Sequence, residues 1–222
     1  MNSFTQQKFF IHGPAGKLET ILAEPADQPR GIAIIAHPHP LYGGTMNNKV
    51  VYTLFKSFLE LGFIAVRFNF RGVEQSEGAL TAGKDDGAGE TEDAIAVAES
   101  IRDRFKARFD HPLPLWLGGF SFGGGVQAHA ARALKPEGIV MVAPAVERLH
   151  APPLVFPEQE KVRHAPRILI VHGDQDNVVA LETVLNWAAP QELPVVVVPG
   201  AEHFFHGRLH ILKRIISDTL RS

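Results

Sequence analysis

The sequence predicts an α/β fold with a mostly parallel central sheet of about seven or eight strands and helices on both faces. The first observation is that short apolar, β-branched runs alternate with longer runs of helical spacing along the 222 residues. The second is that these short runs are apolar throughout, as in strands that are covered on both faces. The third is a turn-rich segment near the start that predicts an antiparallel hairpin.

The predicted hairpin comes from two strand-like runs, Lys8–His12 and Lys17–Glu24, on either side of the turn residues in Gly13–Gly16. Six further runs have the length and apolar character of strands within a sheet. These runs are Gly31–Ala36, Phe63–Phe70, Leu115–Gly118, Gly138–Val142, Arg167–Val171 and Pro194–Val198.

Five segments are predicted as helices because their apolar residues recur at helical spacing or because they are rich in alanine. The first of them is followed by Gly62, and glycine is common just after a helix end. The predicted ranges are Asn47–Leu61, Glu90–Phe109, Val126–Leu134, Leu181–Ala189 and Phe205–Leu220. In a sheet of this kind, the ligand site is expected beyond the carboxyl ends of the strands.

Composition narrows the functional classes. The net charge of −2 gives no electrostatic case for binding nucleic acid or an anionic membrane. Cysteine is absent, which excludes disulfides, thiol catalysis and cysteine-ligated metal. Residues Met1–Lys8 lack a signal-peptide pattern, and no apolar run approaches the length of a membrane span. We therefore expect a cytoplasmic protein with a single domain over residues 1–222, which is a monomer or a homodimer.

The most informative motif is G-x-S-x-G at Gly119–Gly123, which lies between an apolar run and an alanine-rich run. A serine on a sharp turn from strand to helix is the context of a nucleophile elbow. Ser121 is therefore the candidate nucleophile. The alternative is a glycine-rich turn that contains an incidental serine.

A serine hydroxyl needs a base to accept its proton and an acid to orient that base. In this type of fold they follow the serine in the order acid, then histidine. Asp176 follows the strand that ends near Gly173 and is a candidate acid, with Asp174 as a competitor that is expected to stabilise the turn. His203 follows the last predicted strand and is the candidate base.

Two further histidines, His206 and His210, lie one helical turn apart and are expected on a partly exposed helix face. The same pair, and the pair His37 and His39, have spacings that metal ligands can use. A metal-dependent hydrolase is therefore an alternative, although no acidic metal motif accompanies the first pair.

An oxyanion hole requires one backbone N–H after the nucleophile and another from an earlier loop. Phe122 supplies the first. The second is expected from His37–Leu41, in which both prolines lack an N–H. His39 is the best-placed donor and Leu41 is the second candidate.

Several motifs along most of the chain resemble the α/β-hydrolase superfamily, and more narrowly a group of small bacterial serine hydrolases with dienelactone-hydrolase-like cores. The matching segments are His37–Pro40, Gly43–Val51, Arg67–Val73, Gly87–Glu90 with Asp93, Gly119–Gly123, His172–Asp176 and Ala201–Phe205.

This resemblance implies a Ser121–Asp176–His203 triad, an acyl-enzyme intermediate and carboxylesterase-type hydrolysis of short-chain acyl esters, without a cofactor or a metal. It favours Asp176 over Asp174 as the acid. It also implies that a large cap is absent, because the usual insertion site, about Pro144–Pro166, is too short for a helical domain.

Where the group usually has glycine after Arg-Gly-Val, this chain has Glu74. A glycine there would suit a left-handed turn, so Glu74 is expected to strain or reshape the loop. We hypothesise that its carboxylate lies near the mouth of the site and disfavours anionic substrates.

Two other functions remain open at this stage. A thioester or a peptide is an alternative substrate for the same residues, because function depends on the pocket rather than the fold. A non-catalytic binding protein on a hydrolase fold is the other, and the presence of all three triad residue types argues against it.

Overall fold

The computed structural model describes residues 4–81, 87–154 and 166–221, and these residues are built around one eight-stranded sheet. The strands are β1 Gln6–Gly13, β2 Gly16–Ala23, β3 Gly31–Ala36, β4 Phe63–Phe68, β5 Leu115–Phe120, β6 Gly138–Val142, β7 Arg167–Gly173 and β8 Val195–Val198. Strands β3 to β8 pair in parallel, whereas β1 and β2 form an antiparallel hairpin at one edge and β2 pairs antiparallel with β4. The order across the sheet is β1-β2-β4-β3-β5-β6-β7-β8.

Helices cover both faces of the sheet, as predicted. The helices are α1 Lys49–Glu60, α2 Ala88–Lys106, α3 Phe122–Leu134, α4 Leu181–Ala188 and α5 Leu209–Arg221. One hydrophobic cluster packs α2, α3 and α4 against one face, and a second packs α1 and α5 against the other. The predicted α/β-hydrolase fold is thus confirmed. Among the helices of the described residues, none combines the length and apolar character that crossing a membrane requires.

Local hydrogen bonding explains where helix boundaries differ from the sequence prediction. Helix α1 begins at Lys49 rather than Asn47, because the side chain of Asn48 accepts a hydrogen bond from the backbone N–H of Val50 at 2.8 Å. Helix α5 begins at Leu209 rather than Phe205, because Phe205 has a left-handed φ of 55° that no helix continues.

Helix α3 starts four residues before the predicted Val126, because its first turn is formed by Phe122 and three glycines. Glycine has a low helix propensity, so the sequence pattern did not indicate a helix there. Close packing explains why glycine occupies this turn, because a Cβ on Gly123 would lie 2.5 Å from the carbonyl oxygens of Ala36 and His37.

The interval between β6 and β7 is where a cap would be inserted. Residues 144–154 form turns and extended chain without a helix or a strand. The rest of the predicted short connection, residues 155–165, lies outside the described residues.

The segment after β4 is anchored to α2 by a buried ion pair. Arg71 Nη2 lies 2.7 Å from Asp93 Oδ1, and the Arg71 backbone N–H donates to Asp93 Oδ2 at 2.9 Å. Burial by itself would lower the pKa of Arg71, but Asp93 and Glu92 outweigh that effect and raise it. A side chain at Gly89 would collide with the Arg71 guanidinium. These contacts give the Gly87–Glu90 and Asp93 motif a structural role.

Replacing Asp93 by Asn is expected to destabilise the protein strongly, because the buried Arg71 charge loses its buried partner and keeps an exposed one, Glu92, at 3.3 Å. Breaking one side of a buried pair lowers the free energy of unfolding by about 3–5 kcal/mol. Urea denaturation measures the loss. The control is Lys56→Gln, which removes an exposed 3.9 Å pair with Glu60 and should change the free energy by less than about 1 kcal/mol. Equal losses in the two variants would contradict this account.

Candidate active site

Ser121 occupies a strained turn between β5 and α3. Its φ of 55° and ψ of −119° are unusual for a residue with a side chain. The turn is held on both sides, since the Ser121 N–H donates to Val142 O at 2.9 Å and the Ser121 carbonyl accepts from Ala145 N at 3.0 Å. The serine side chain is therefore presented at the carboxyl edge of the sheet by fixed backbone contacts.

The two motif glycines are required by close backbone approach. A Cβ on Gly119 would lie 2.4 Å from the carbonyl oxygen of Gly123, and one on Gly123 would touch the chain at the end of β3. Both contacts are shorter than real Cβ contacts allow. The G-x-S-x-G spacing thus reflects the packing of β5, α3 and β3 around the turn.

A chain of hydrogen bonds joins Ser121, His203 and Asp176. His203 Nε2 lies 3.0 Å from Ser121 Oγ, and His203 Nδ1 lies 2.7 Å from Asp176 Oδ2. The other carboxylate oxygen, Oδ1, accepts from the backbone N–H groups of Val178 and Val179, both at 2.9 Å. The structure thus brings the three predicted residues together from the ends of β5, β7 and β8.

The electrostatics of Asp176 favour its ionised form. Burial by itself would raise the pKa of this carboxyl, but the hydrogen bonds from His203 and from two backbone N–H groups hold it below its usual value. An ionised Asp176 accepts a hydrogen bond from the Nδ1–H group of His203. The Nε2 lone pair then faces the serine hydroxyl, which is the tautomer that a general base requires.

Asp174 has a different environment. Its Oδ1 accepts a hydrogen bond from the backbone N–H of Gly200 at 2.6 Å, which ties the loop after β7 to the loop after β8. Asp174 therefore stabilises a turn, whereas Asp176 contacts His203.

Two backbone N–H groups are available next to Ser121. Phe122 is the first residue of α3, so its N–H has no partner within the helix. Over the described residues, neither this N–H nor that of His39 donates to a protein acceptor. Leu41, the alternative donor, bonds to the Nδ1 of His39 at 3.2 Å. The available pair is therefore Phe122 and His39.

These groups border a cavity of about 600 Å³. Its solvent-exposed lining includes three apolar side chains, since Tyr42, Val178 and Phe204 are 76%, 62% and 40% exposed. The charged residues Glu147 and Arg148 are also exposed there. Cavities of this size accommodate small organic ligands. The lining residues are Pro38, His39, Tyr42, Gly43, Gly44, Asn48, Ser121, Phe122, Ala145, Glu147, Arg148, Val178, Val179, Ala180, Thr183, His203 and Phe204.

His172 is a site residue that the sequence reasoning did not single out. It is fully buried on β7, and its Nε2 lies 3.0 Å from the carbonyl oxygen of Val179 and 3.5 Å from Asp176 Oδ2. A carbonyl only accepts, so Nε2 carries the proton. Burial lowers the pKa of His172, which keeps the ring neutral beside the carboxylate. In the sequence it is the first residue of the His172–Asp176 segment that resembles the family, four residues before Asp176.

His37 is also buried and carries both of its hydrogen bonds to the backbone. Its Nδ1 lies 2.7 Å from Pro38 O, and its Nε2 accepts from the backbone N–H of Phe70 at 3.1 Å. Burial lowers the pKa of His37 to about 4. The ring is therefore neutral near pH 7, and neither nitrogen is available to a metal.

The remaining histidine pair also has local contacts, since His206 Nδ1 lies 3.0 Å from Glu202 Oε1. Within residues 4–81, 87–154 and 166–221, no group of three or more His, Asp or Glu side chains is arranged to hold a metal ion. The histidine spacings therefore carry no support for the metal-dependent alternative.

Glu74 has the left-handed conformation expected for its position, with a φ of 50°. Its side chain is exposed, and it is not among the described residues that line the cavity. A direct effect of Glu74 on charge preference at the mouth of the site therefore has no structural support.

Comparison with known families agrees with the fold and the site. A family model described as an alpha/beta hydrolase domain matches residues 30–211. The match covers most of the chain, which therefore belongs to the α/β-hydrolase family.

Two solved structures that are similar to this chain are described as α/β serine hydrolases. An α/β serine hydrolase homologue from Coxiella burnetii is 40% identical, with a TM-score of 0.82 over 99% of this chain and 100% of that one. A Xanthomonas campestris protein described as an α/β serine hydrolase without a lid is 34% identical, with a TM-score of 0.81 over 97% and 94% of the two chains.

A more distant relative has a named activity. The lysophosphatidylserine lipase ABHD12 of Danio rerio is 25% identical to this chain. The alignment covers 94% of this chain and 65% of the lipase.

The buried His37 should make stability fall on acidification. Because its folded pKa is about 4 and its ordinary value is 6.5, the unfolded chain binds a proton between these values that the folded chain does not. The contribution is constant above about pH 6.5, and the free energy of unfolding then falls by up to about 3 kcal/mol by pH 4.

This pH dependence is measured by urea denaturation of the wild type and His37→Asn between pH 4 and 8. The measurements at pH 7 to 8 give the baseline difference, because His37 is neutral there in both states. As the pH falls, the free energy of unfolding of the wild type should decrease relative to that of the His37→Asn variant. A difference that stays constant across the range would contradict the assignment.

Proposed function

We propose that this protein is a serine hydrolase that cleaves carboxylic esters of short-chain acyl groups through an acyl-enzyme intermediate. The observation that carries the proposal is the hydrogen-bonded chain from Asp176 through His203 to Ser121, next to two unpaired backbone N–H groups. The chain belongs to the α/β-hydrolase family and is similar to proteins described as serine hydrolases, which supports the same chemistry.

In the proposed first step, His203 Nε2 accepts the proton of Ser121 Oγ across the 3.0 Å hydrogen bond while the oxygen attacks the ester carbonyl. Asp176 stabilises the imidazolium that forms. The carbonyl oxygen becomes an oxyanion, which accepts hydrogen bonds from the N–H groups of Phe122 and His39.

Collapse of the tetrahedral intermediate breaks the ester C–O bond, and His203 donates its proton to the departing alcohol. Ser121 then carries the acyl group. In the second half, His203 accepts a proton from water as that water attacks the acyl-enzyme. The bond between Ser121 Oγ and the acyl carbon then breaks, His203 returns its proton to Ser121 Oγ, and the acid is released. Nothing in these steps needs a cofactor.

The cavity supports a small-molecule substrate. Its volume of about 600 Å³ and the apolar side chains of Tyr42, Val178 and Phe204 in its lining suit a short acyl group or a compact alcohol. The lipase activity named for the Danio rerio relative is also ester hydrolysis, which supports an ester over an amide.

Replacing Ser121 by Ala should abolish ester hydrolysis without unfolding the protein. We expect kcat/KM for p-nitrophenyl acetate to fall by about 10⁴-fold or more, because the nucleophile is lost. The matched control is Ser100→Ala, which changes an exposed serine of α2 and should leave the rate unchanged. Full activity of the Ser121 variant would remove this residue from the mechanism.

The two neighbouring aspartates offer a paired test. Asp176→Asn should lower kcat by about 10³- to 10⁴-fold, because an amide favours the wrong tautomer of His203. Asp174→Asn makes the same chemical change two residues away and should retain kcat within about threefold of the wild type. Both rates are measured with p-nitrophenyl acetate. Comparable losses in both variants would refute the assignment of the acid.

A further inference from the structure

His37 is a fully buried side chain that the proposed steps do not use. It follows β3 directly and does not line the cavity. Both ring nitrogens are nevertheless hydrogen bonded, to Pro38 O at 2.7 Å and to the N–H of Phe70 at 3.1 Å. The partner at Pro38 is notable because its carbonyl belongs to the peptide unit that contains the His39 N–H.

The hydrogen bonds determine which nitrogen of His37 carries the proton. The backbone N–H of Phe70 can only donate, so Nε2 accepts and is unprotonated. A neutral imidazole then has its proton on Nδ1, which donates to the carbonyl oxygen of Pro38. His37 thus acts as a bridge between the backbone after β4 and the backbone after β3.

The consequence for the site follows from peptide geometry. The structure has no cis peptide bond among its described residues, and the C=O and N–H of a planar trans peptide point in opposite directions. Fixing the Pro38 carbonyl therefore fixes the direction of the His39 N–H. We propose that His37 is a positioning residue that aims the His39 N–H at the oxyanion, an inference that rests on the proposed ester hydrolysis.

Further contacts of the same peptide support this role. Gly44 packs directly against the Pro38 carbonyl, where a Cβ would lie only 2.1 Å from the oxygen. The next carbonyl, that of His39, accepts from the N–H groups of Tyr42 and Gly44, both at 3.1 Å. The peptide between Pro38 and His39 is therefore held from several directions.

The backbone of Phe70, which donates to His37 Nε2, is also anchored. Phe70 lies between Asn69, whose N–H donates to Glu19 O at 2.9 Å, and Arg71, whose N–H donates to Asp93 at 2.9 Å. The rings of Phe70 and His37 pack with their centroids 4.5 Å apart. The donor to His37 Nε2 is thus fixed by the segment that binds α2.

The first test compares His37→Ala with His37→Asn using p-nitrophenyl acetate. The Ala variant loses the Nδ1–H group that donates to Pro38 O. The His39 N–H is then misdirected, which should lower kcat by about 10- to 100-fold with KM changed less than about threefold. Asn retains an N–H near the position of Nδ1, so its kcat should recover to within about fivefold of the wild type. The inhibition constant of a trifluoromethyl ketone, which forms a tetrahedral adduct, should rise in parallel with the loss of kcat/KM.

The control for losing a histidine that bonds to a backbone carbonyl is His129→Ala, at a partly buried position. His129 Nε2 bonds to the carbonyl oxygen of Leu149 at 2.7 Å, away from the cavity lining, so this variant should keep kcat and the inhibition constant. A folded His37→Ala protein with a lower melting temperature but wild-type kcat would overturn the proposal, because the role would then be structural only. A wild type that hydrolyses no ester would instead refute the proposed function.

Two measurements keep the test decisive if His37 variants do not fold. NMR of the imidazole nitrogens in the wild type at pH 7 should find the proton on Nδ1, and a proton on Nε2 would overturn the proposal whether or not the protein is an esterase. Gly44→Ala would displace the Pro38 carbonyl, because its Cβ would lie 2.1 Å from that oxygen, and should lower kcat about 10-fold or more with little change in KM. Wild-type kcat in folded Gly44→Ala would also overturn it.

Discussion

The parallel pairing of β3 with β5 at the centre of the sheet is the constraint on which the site depends. Ala36 at the end of β3 lies opposite Gly119 in β5. The loop that carries His39 and the turn that carries Ser121 therefore leave the sheet side by side. The missing side chain of Gly123 lets this turn approach the end of β3. Strand pairing, rather than a contact between side chains, thus brings the turn at Ser121 next to the loop that carries His39.

The sequence predicts the architecture well because the strands are continuous apolar runs and their order allows few topologies. It also predicts the three residues that form the hydrogen-bonded chain, since each follows a strand whose carboxyl end lies at the same edge of the sheet. Asp174 and Asp176 both follow β7, and at the level of the sequence only the family resemblance favours Asp176. The structure separates them by their contacts, because Asp174 accepts from Gly200 and Asp176 accepts from His203.

Features set by contacts between distant backbone segments were not predictable from the pattern. The start of α3 was missed because three glycines have poor helix propensity, although packing requires them there. The contacts of His37 and His172 are hydrogen bonds to backbone atoms, and such bonds leave no spacing signal in the sequence. The loop at Glu74 shows the converse case. Its left-handed backbone was expected from the sequence, whereas a place at the mouth of the cavity was not supported by the structure.

The exposed outer wall of the cavity has a consequence for how this protein can diverge. Tyr42, Val178 and Phe204 lie on three separate loops and are 40% to 76% exposed, so substitutions there remove little packing. Ser121 and His203 are 94% and 97% buried and are held by backbone contacts of the sheet. Substrate preference can therefore drift through single substitutions at the wall, while the hydrogen-bonded groups below stay unchanged.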